Sequence, residues 1–387
     1  MAHSGLLNEE HIMIRDIARE FTLNEVLPVA NKLDPEQGDI PIDLRKKLAD
    51  MGYFGIRIPE EYGGSGLGCL EYCLITEQLS RGWMSVASII ARGNGTLVMD
   101  LLTNEQKEKV FPRVVAGDYL AAASLSEPDT GSDLASISCR AERTSDGWQI
   151  TGNKYWCTFA DGADYILLFA RTDAESNPNK RHQGISAFII DKPRGELPEG
   201  VQGSIIPKIG YFGWKTWELF FDQVKLGAGT LMGEEGKALY ALAKGLDEAR
   251  AHTAARSIGL AQGALEDAMK YAQERTQFGK AIARFQDLRF KIARMATDIE
   301  AARQLLYYVC TCIDEGRRCD KEASMAKYFA SEMAERVTSD ALQILGGAGY
   351  TKLHAVERYW RDARLTKIFE GTSEIQLRII SDNMLGR

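Results

Sequence analysis

The chain has 387 residues, 45% of them apolar and 26% charged, with a net charge of −7, enough to bury a large core shared by two or three domains. The acidic balance argues against a general nucleic-acid binder, and no apolar run approaches the ~20 residues that a membrane span needs. The opening residues lack the basic and apolar stretches of a secretory signal, which points to a cytoplasmic protein or to a mitochondrial matrix protein freed of a transit peptide.

Residues 1–122 read as a helical domain. Ile14, Ile17 and Phe21 repeat at i, i+3, i+7 and should share one helix face. A glycine-rich loop at 61–68 interrupts the region, and helical patterns resume over 70–79 and 86–101. Gly64, Gly66 and Gly68 are not a dinucleotide fingerprint, because the third spacing is wrong and no strand precedes them. Residues 123–237 change texture. The runs 165–170, 185–190 and 218–221 are strand-length, rich in Ile, Phe and Leu, and separated by Gly, Pro, Asn and Asp; they predict a β-barrel-like domain or two packed sheets.

Long helices return over 238–387. Leu288, Ile292, Met295, Ile299, Ala302, Leu306, Val309 and Ile313 step by four and three, as do Ile258, Ala261, Leu265, Ala268 and Ala272, and Ala323, Ala326, Ala330, Met333 and Val337. Such seams imply a four-helix bundle packed at shallow angles, a surface that also suits subunit contacts. The expected class is α+β multidomain: a helical domain, a central β domain and a helical bundle.

The seven cysteines and five histidines are scattered without metal-ligand spacing. Cys310 and Cys312 point to different helix faces, so reduced structural thiols are expected and no metal site. Three segments carry candidate chemistry. Residues 125–133 offer small hydroxyl side chains and exposed backbone N–H groups that suit a carbonyl-rich ring or a pyrophosphate, or simply a polar turn. Trp156, Cys157 and Thr158 offer a ring to stack on and a hydroxyl beside it, or a core tryptophan. Near the end, Glu370 stands between Phe369 and Gly371. Loss of hydration there should raise its pKa and make it a proton acceptor. Gly371 admits a ligand close to the backbone, and Thr372 or Ser373 can cap a helix with Glu374 in its first turn.

In order and spacing these segments resemble the acyl-CoA dehydrogenases over essentially the whole chain. The resemblance implies FAD as cofactor. Residues 123–132, with Ala123, Ser124, Leu125 and Ser126, are similar to the flavin loop, and Ser132 to a serine near the substrate's phosphates. Trp156, Cys157 and Thr158 resemble the Trp-Ile-Thr stretch under the flavin ring, with Cys157 in place of Ile. Asp247 and Arg250 look like the Asp-x-x-Arg element that meets CoA. Arg275, Phe278 and Gln286 resemble the Arg-x-Gln-Phe-Gly element that reaches the FAD of a neighbouring subunit. Gln343, Ile344, Leu345, Gly346 and Gly347 resemble the FAD-binding turn nearby. Residues 370–374 match the Glu-Gly-Thr element, which makes Glu370 the base, Gly371 a substrate contact, and Thr372, Ser373 and Glu374 neighbours of the cofactor. The alternative base position of some members is Ala249 here, leaving Glu248 beside it as the fallback.

What the resemblance implies is α,β-desaturation. Glu370 removes the α proton while FAD accepts a hydride from the β carbon. The Glu370 N–H and a ribityl hydroxyl stabilise the thioester oxygen, and electrons pass to an electron-transferring flavoprotein. The implied assembly is a homotetramer. Trp83, Met84, Ile89 and residues 211–217 frame the acyl site and favour a short, branched or cyclic acyl group. Three other readings stay open: an acyl-CoA oxidase, a non-catalytic binding protein, and a dicarboxyl-CoA dehydrogenase. Met84 occupies the position of the substrate-carboxylate arginine of glutaryl-CoA enzymes, with Arg81 and Arg92 close by.

Overall fold

The computed structural model describes residues 7–95, 101–173 and 180–386. Helix α1 (Glu9–Phe21) opens on Asn8 and His11, which cap each other's backbone N–H reciprocally. Ile14 and Phe21 pack against the core, but Ile17 is 46% exposed and Ala18 is buried in its place. A helix packed on essentially one neighbour buries a narrow stripe, and the i, i+4, i+7 row holds it while the i+3 edge stays wet. Helices α2 (Leu27–Leu33) and α3 (Ile42–Asp50) follow.

The glycine-rich loop folds back on its own approach instead of opening a nucleotide site. Ser65, Gly66 and Leu67 donate to the carbonyls of Gly55, Ile58 and Ile56. A Cβ on Gly64 would lie 2.0 Å from the Ile58 oxygen, so only glycine passes there. Helices α4 (Cys69–Gly82), α5 (Met84–Ile89), α6 (Ala91–Asn94) and α7 (Asn104–Val115) are the further helices of this part among the described residues. The helical pattern read over 86–101 includes residues 96–100, which lie outside the described residues.

Among the described residues, the middle of the chain forms one eight-stranded sheet built from β1 (Ala121–Ser124), β2 (Arg140–Arg143), β3 (Gly147–Thr158), β4 (Tyr165–Arg171), β5 (Ile185–Asp191), β6 (Val201–Ile205), β7 (Thr216–Gly227) and β8 (Leu231–Met232). Its order is β6-β7-β3-β2-β4-β5-β8, with β1 parallel to β4. The three runs read from sequence are β4, β5 and part of β7. Tyr165 to Ala170 are all buried, as a continuous apolar run demands of a central strand. Strand β3 pairs with β7 through two register shifts, the second between Lys154 and Cys157. That bulge bears directly on the site described below.

Helix α8 (Ala238–Glu274) leads through a two-strand hairpin, β9 (Thr276–Gln277) and β10 (Lys280–Ala281), into α9 (Gln286–Asp314) and α10 (Asp320–Leu345); α11 (Val356–Thr366) and α12 (Ser373–Leu385) end the fold. Every seam position expected in α8 and α10 is buried, as are Met295, Ile299, Ala302, Leu306 and Val309 of α9. Helix α4 docks on α8 across Gly259, whose absent Cβ would sit 2.2 Å from the Glu77 oxygen. That close approach brings α5, α6 and α8 around one wall. Among the described residues no helix is long and apolar enough to cross a membrane.

Candidate active site

Glu370 lies in the short loop between α11 and α12. Its φ of 53° and the 88° of Gly371 put two successive residues in the left-handed region, an arrangement that a non-glycine residue adopts only when its surroundings enforce it. The enforcement is visible. Thr372 caps α12 by accepting from the Ile375 N–H. Ser373 N–H donates to the Lys367 oxygen at 3.0 Å, and the Gly371 oxygen accepts from both Lys327 Nζ at 2.6 Å and Gln376 Nε2 at 3.0 Å. The Glu370 N–H has no acceptor among the described residues.

The loop crosses α8 at Thr253 and Arg256. Arg256 Nη2 donates to Glu370 Oε2 at 2.6 Å and to Thr253 Oγ1 at 2.9 Å, while its Nη1 donates to Ser88 Oγ at 3.0 Å. The Thr253 hydroxyl has one proton to give and two acceptors in reach, the Ala249 oxygen at 3.0 Å and Glu370 Oε2. This overturns the expected raised pKa. Burial does push Glu370 up, but the Arg256 guanidinium beside it, with His252 and the Thr253 hydroxyl, outweighs that and holds the carboxyl at about 2. The side chain is nevertheless 37% exposed, surrounded by protein yet reachable by solvent.

Three neighbours complete the wall. His252 is buried, stacked on Tyr72 at 4.8 Å, with Nε2 at 3.2 Å from the Ala87 oxygen. Burial first and Arg256 second pull its pKa down to about 3, so it is neutral, and the carbonyl partner places its proton on Nε2. Lys327 is pulled down to about 8, by burial. Arg92 of α6 lies over the Trp214 ring, 5.3 Å from its centroid.

A second cluster gathers around β1 and the bulge of β3. Lys154, fully buried, donates to the Leu125 oxygen and to Glu127 Oε1, both at 2.9 Å; Glu127 also accepts from the Ser138 and Cys139 N–H groups. This buried pair folds the loop at 125–133, leaving Ala123 and Ser132 exposed, Leu125 and Ser126 half-buried and Ser124 buried. The bulge then turns Trp156 outward, with φ 64° and its side chain 56% exposed, braced edge-on by Tyr155 at 4.6 Å. An indole held open to solvent on a bulged strand is not a core residue. It leaves a flat aromatic face open to solvent. Cys157 is buried beside it, and the Thr158 and Thr216 hydroxyls meet at 2.9 Å.

A row of rings links the two clusters: Phe159 to Trp214 at 5.7 Å, Trp214 to Tyr211 at 5.2 Å, and Tyr211 to Phe369 at 5.9 Å. Asp247 and Arg250 pair with each other at 2.6 Å. Glu248 is held by Arg57 at 3.2 and 3.3 Å, so the fallback base is engaged elsewhere. Arg275, Phe278 and Gln286 stand exposed around the β9–β10 hairpin; Phe278 is 91% exposed with φ 51°. Gln343, Gly346 and Gly347 are exposed and Ile344 and Leu345 buried at the end of α10. Among the described residues, no hydrogen bond or ring contact joins the hairpin or this turn to Trp156 or Glu370.

Sequence reasoning missed His252, Thr253 and Arg256, which lie in α8 just before the first residue of its apolar seam, Ile258. It also missed that Cys69, Cys73 and Cys310, all buried and free, bring their sulfurs within 4.8 Å of one another. Arg81, considered beside Arg92, is ion-paired with Glu266. A recess of about 410 Å³ lined by Asp267, Tyr271 and Arg358 shares no residue with either cluster.

Comparison with known proteins matches three models in chain order: acyl-CoA dehydrogenase N-terminal domain over residues 8–118, middle domain over 122–224 and C-terminal domain over 236–385. The chain is 39% identical to the 3-(aryl)acrylate reductase of Clostridium sporogenes, covering 97% of this chain and 99% of the relative. It is 40% identical to the (2S)-methylsuccinyl-CoA dehydrogenase of Cereibacter sphaeroides, covering 98% and 70%. A chain solved in work on the electron transferring flavoprotein of Acidaminococcus fermentans superimposes with a TM-score of 0.92 at 36% identity, covering all of both chains.

Proposed function

The chain belongs to the acyl-CoA dehydrogenase family, and on that footing we propose that it desaturates a short acyl-CoA between the α and β carbons, with Glu370 as the base. Members of the family are FAD-dependent oxidoreductases. The residues present fit that cofactor: Trp156 offers the ring platform, Ala123 to Ser126 the adjoining backbone, and Thr158 a hydroxyl beside it. FAD, when bound, supplies the acceptor for the β hydrogen and its electron pair.

The observation that carries the reading is the Glu370 loop itself. A strained backbone holds the carboxylate and an unpartnered N–H on one residue. The carboxylate takes the α proton, and the N–H donates to the thioester oxygen where negative charge develops. Arg256 keeps the base ionised and oriented before substrate arrives. A carboxylate with a pKa of about 2 is a weak base, so its strength depends on the acyl group excluding water and loosening that ion pair. Tyr211, Trp214 and Phe369 give the acyl site bulky walls, which support a short, branched or cyclic group.

We further read the protein as a cytoplasmic homotetramer that passes its electrons to an electron-transferring flavoprotein. The exposed Phe278 hairpin supports the first part, and the likeness to the Acidaminococcus fermentans chain the second. The test is an anaerobic panel of acyl-CoAs mixed with the yellow enzyme. Rapid bleaching by one ester is expected, and its loss in Glu370→Gln; bleaching at wild-type rate in that variant would put the base elsewhere.

A further inference from the structure

The wall around Glu370 carries more positive charge than a hydrocarbon substrate can use. Arg256 and Arg92 stand there with His252 neutral, while Lys327 beside them faces Glu332 and Glu374 as well as Glu370. Arg256 spends one nitrogen on Glu370, another on Ser88, and rests its plane on Phe369 at 4.6 Å; its Nε is buried without a partner. Arg92 is half-buried. Its Nε is also buried without a partner, and its recorded contact is the face of Trp214. Among the described residues no acidic side chain pairs with it.

Both guanidinium groups also lie near the same two side chains, Tyr211 and His252, and influence the protonation of each. A half-buried arginine without an anion is costly, because part of its hydration is lost and a ring face such as that of Trp214 replaces it only in part. Such a cost is retained where a ligand removes it.

We propose that the acyl group taken at this site carries a second carboxylate, and that Arg92 and Arg256 receive it. The proposal rests on the desaturation reading above and narrows its substrate class. Guanidinium groups suit this role because their planar forks match a carboxylate at two points. The spacer is short. A group bonded to Arg256 stands next to Glu370, which must meet the α carbon, so an acid of succinyl or glutaryl size fits and a long diacid does not. Ser88 Oγ and the Tyr211 hydroxyl lie at the same wall and can bond the remaining oxygens. Occupancy also has a chemical consequence. A carboxylate that claims Arg256 weakens its hold on Glu370, so the base becomes stronger when the right substrate is bound.

The test compares matched esters on the FAD-loaded enzyme under anaerobic conditions: 2-methylsuccinyl-CoA against 2-methylbutanoyl-CoA, and glutaryl-CoA against pentanoyl-CoA. Each pair differs by a carboxylate in place of a methyl group. The concentration dependence of the flavin spectrum gives Kd whether the change is bleaching or only a perturbation, so binding is read apart from desaturation. One carboxylated ester should bind about 10- to 100-fold tighter than its partner, as charged hydrogen bonds imply. Arg92→Gln should remove that preference, and Arg92→Lys should keep part of it. Tighter binding of the neutral esters, or a preference that survives Arg92→Gln and Arg256→Gln alike, overturns the proposal. Bleaching by neutral esters alone leaves the desaturation reading standing without it; a carboxylate preference in binding without any bleaching does the reverse.

Discussion

Arg256 Nη2 lies 2.6 Å from Glu370 Oε2, so the residue we propose as the base is clamped by a permanent cation. The pairing sets the pH range over which the base works. Its folded-state pKa is depressed, from 4.5 to about 2. The pair therefore contributes stability above the unfolded value and loses it as pH falls from about 4.5 towards 2. Removing Arg256 takes away the strongest influence opposing burial, leaving His252 and the Thr253 hydroxyl, and moves the pKa up. Flavin reduction by dilute substrate should show no acid limb above ~pH 5 in the wild type but a clear one in Arg256→Gln. Urea unfolding of the two proteins should differ more at pH 7 than at pH 3. A single pH profile shared by both would mean that Arg256 does not set the charge of Glu370.

Glu370→Gln preserves shape and the backbone N–H but removes the basic carboxylate. Flavin reduction should slow by roughly 10²–10⁴-fold while FAD content and acyl-CoA binding persist. Stopped-flow bleaching under single-turnover conditions measures this, and unchanged FAD content and acyl-CoA affinity in the variant would separate lost chemistry from a damaged loop.

Lys154→Met strands Glu127 in a buried site that loses its cation. The expected cost is about 3–5 kcal/mol, the penalty of an uncompensated buried charge. Denaturant melts should show it, with FAD affinity falling because the 125–133 loop loses its anchor. The double variant Lys154→Met/Glu127→Leu should recover much of the stability. If the single change costs nothing, the pair does not organise the loop.

Trp156→Ala removes a ring that is already in water and sits at φ 64°. Stability of the flavin-free protein should change little. FAD should be released about 2- to 10-fold faster, consistent with ~0.5–1.5 kcal/mol for an aromatic stacking pair. Equal losses in stability and flavin affinity would mark the indole as structural.

Phe278 is 91% exposed at the tip of the β9–β10 hairpin, with Arg275 at its base. Light scattering should give four times the 43.0-kDa chain. Arg275→Ala should loosen FAD without reducing helix content, since its proposed partner is a phosphate. A stable, flavin-loaded monomer would remove the basis for the assembly.

How much of this was legible in the sequence depends on the range of the signal. The seams of α8, α9 and α10 are local periodicities, and burial follows them almost residue by residue. Glu370 was legible because Gly371 and the cap at Thr372 are its immediate neighbours. The sign of its pKa was not. Arg256 is 114 residues away and sits among the alanines and Ile258 of a seam, where no spacing distinguishes a functional arginine. Arg81 and Arg92 likewise look alike in sequence; only the fold gives one of them Glu266 and leaves the other facing Trp214. The thiols of Cys69, Cys73 and Cys310 meet only because α4 packs beside α9.

The left-handed backbone at Glu370 also bears on how this protein can drift. A non-glycine residue held there carries roughly 1–2 kcal/mol of strain, and glycine or asparagine would relieve part of it. Selection for robustness alone therefore meets two opposed effects here, the backbone strain of the glutamate and its ion pair with the buried Arg256. A descendant released from its chemistry should therefore lose this residue together with Arg256, since relieving the strain alone would leave that buried guanidinium without its carboxylate. Glycine or asparagine at position 370 in such a lineage would record when catalysis stopped mattering.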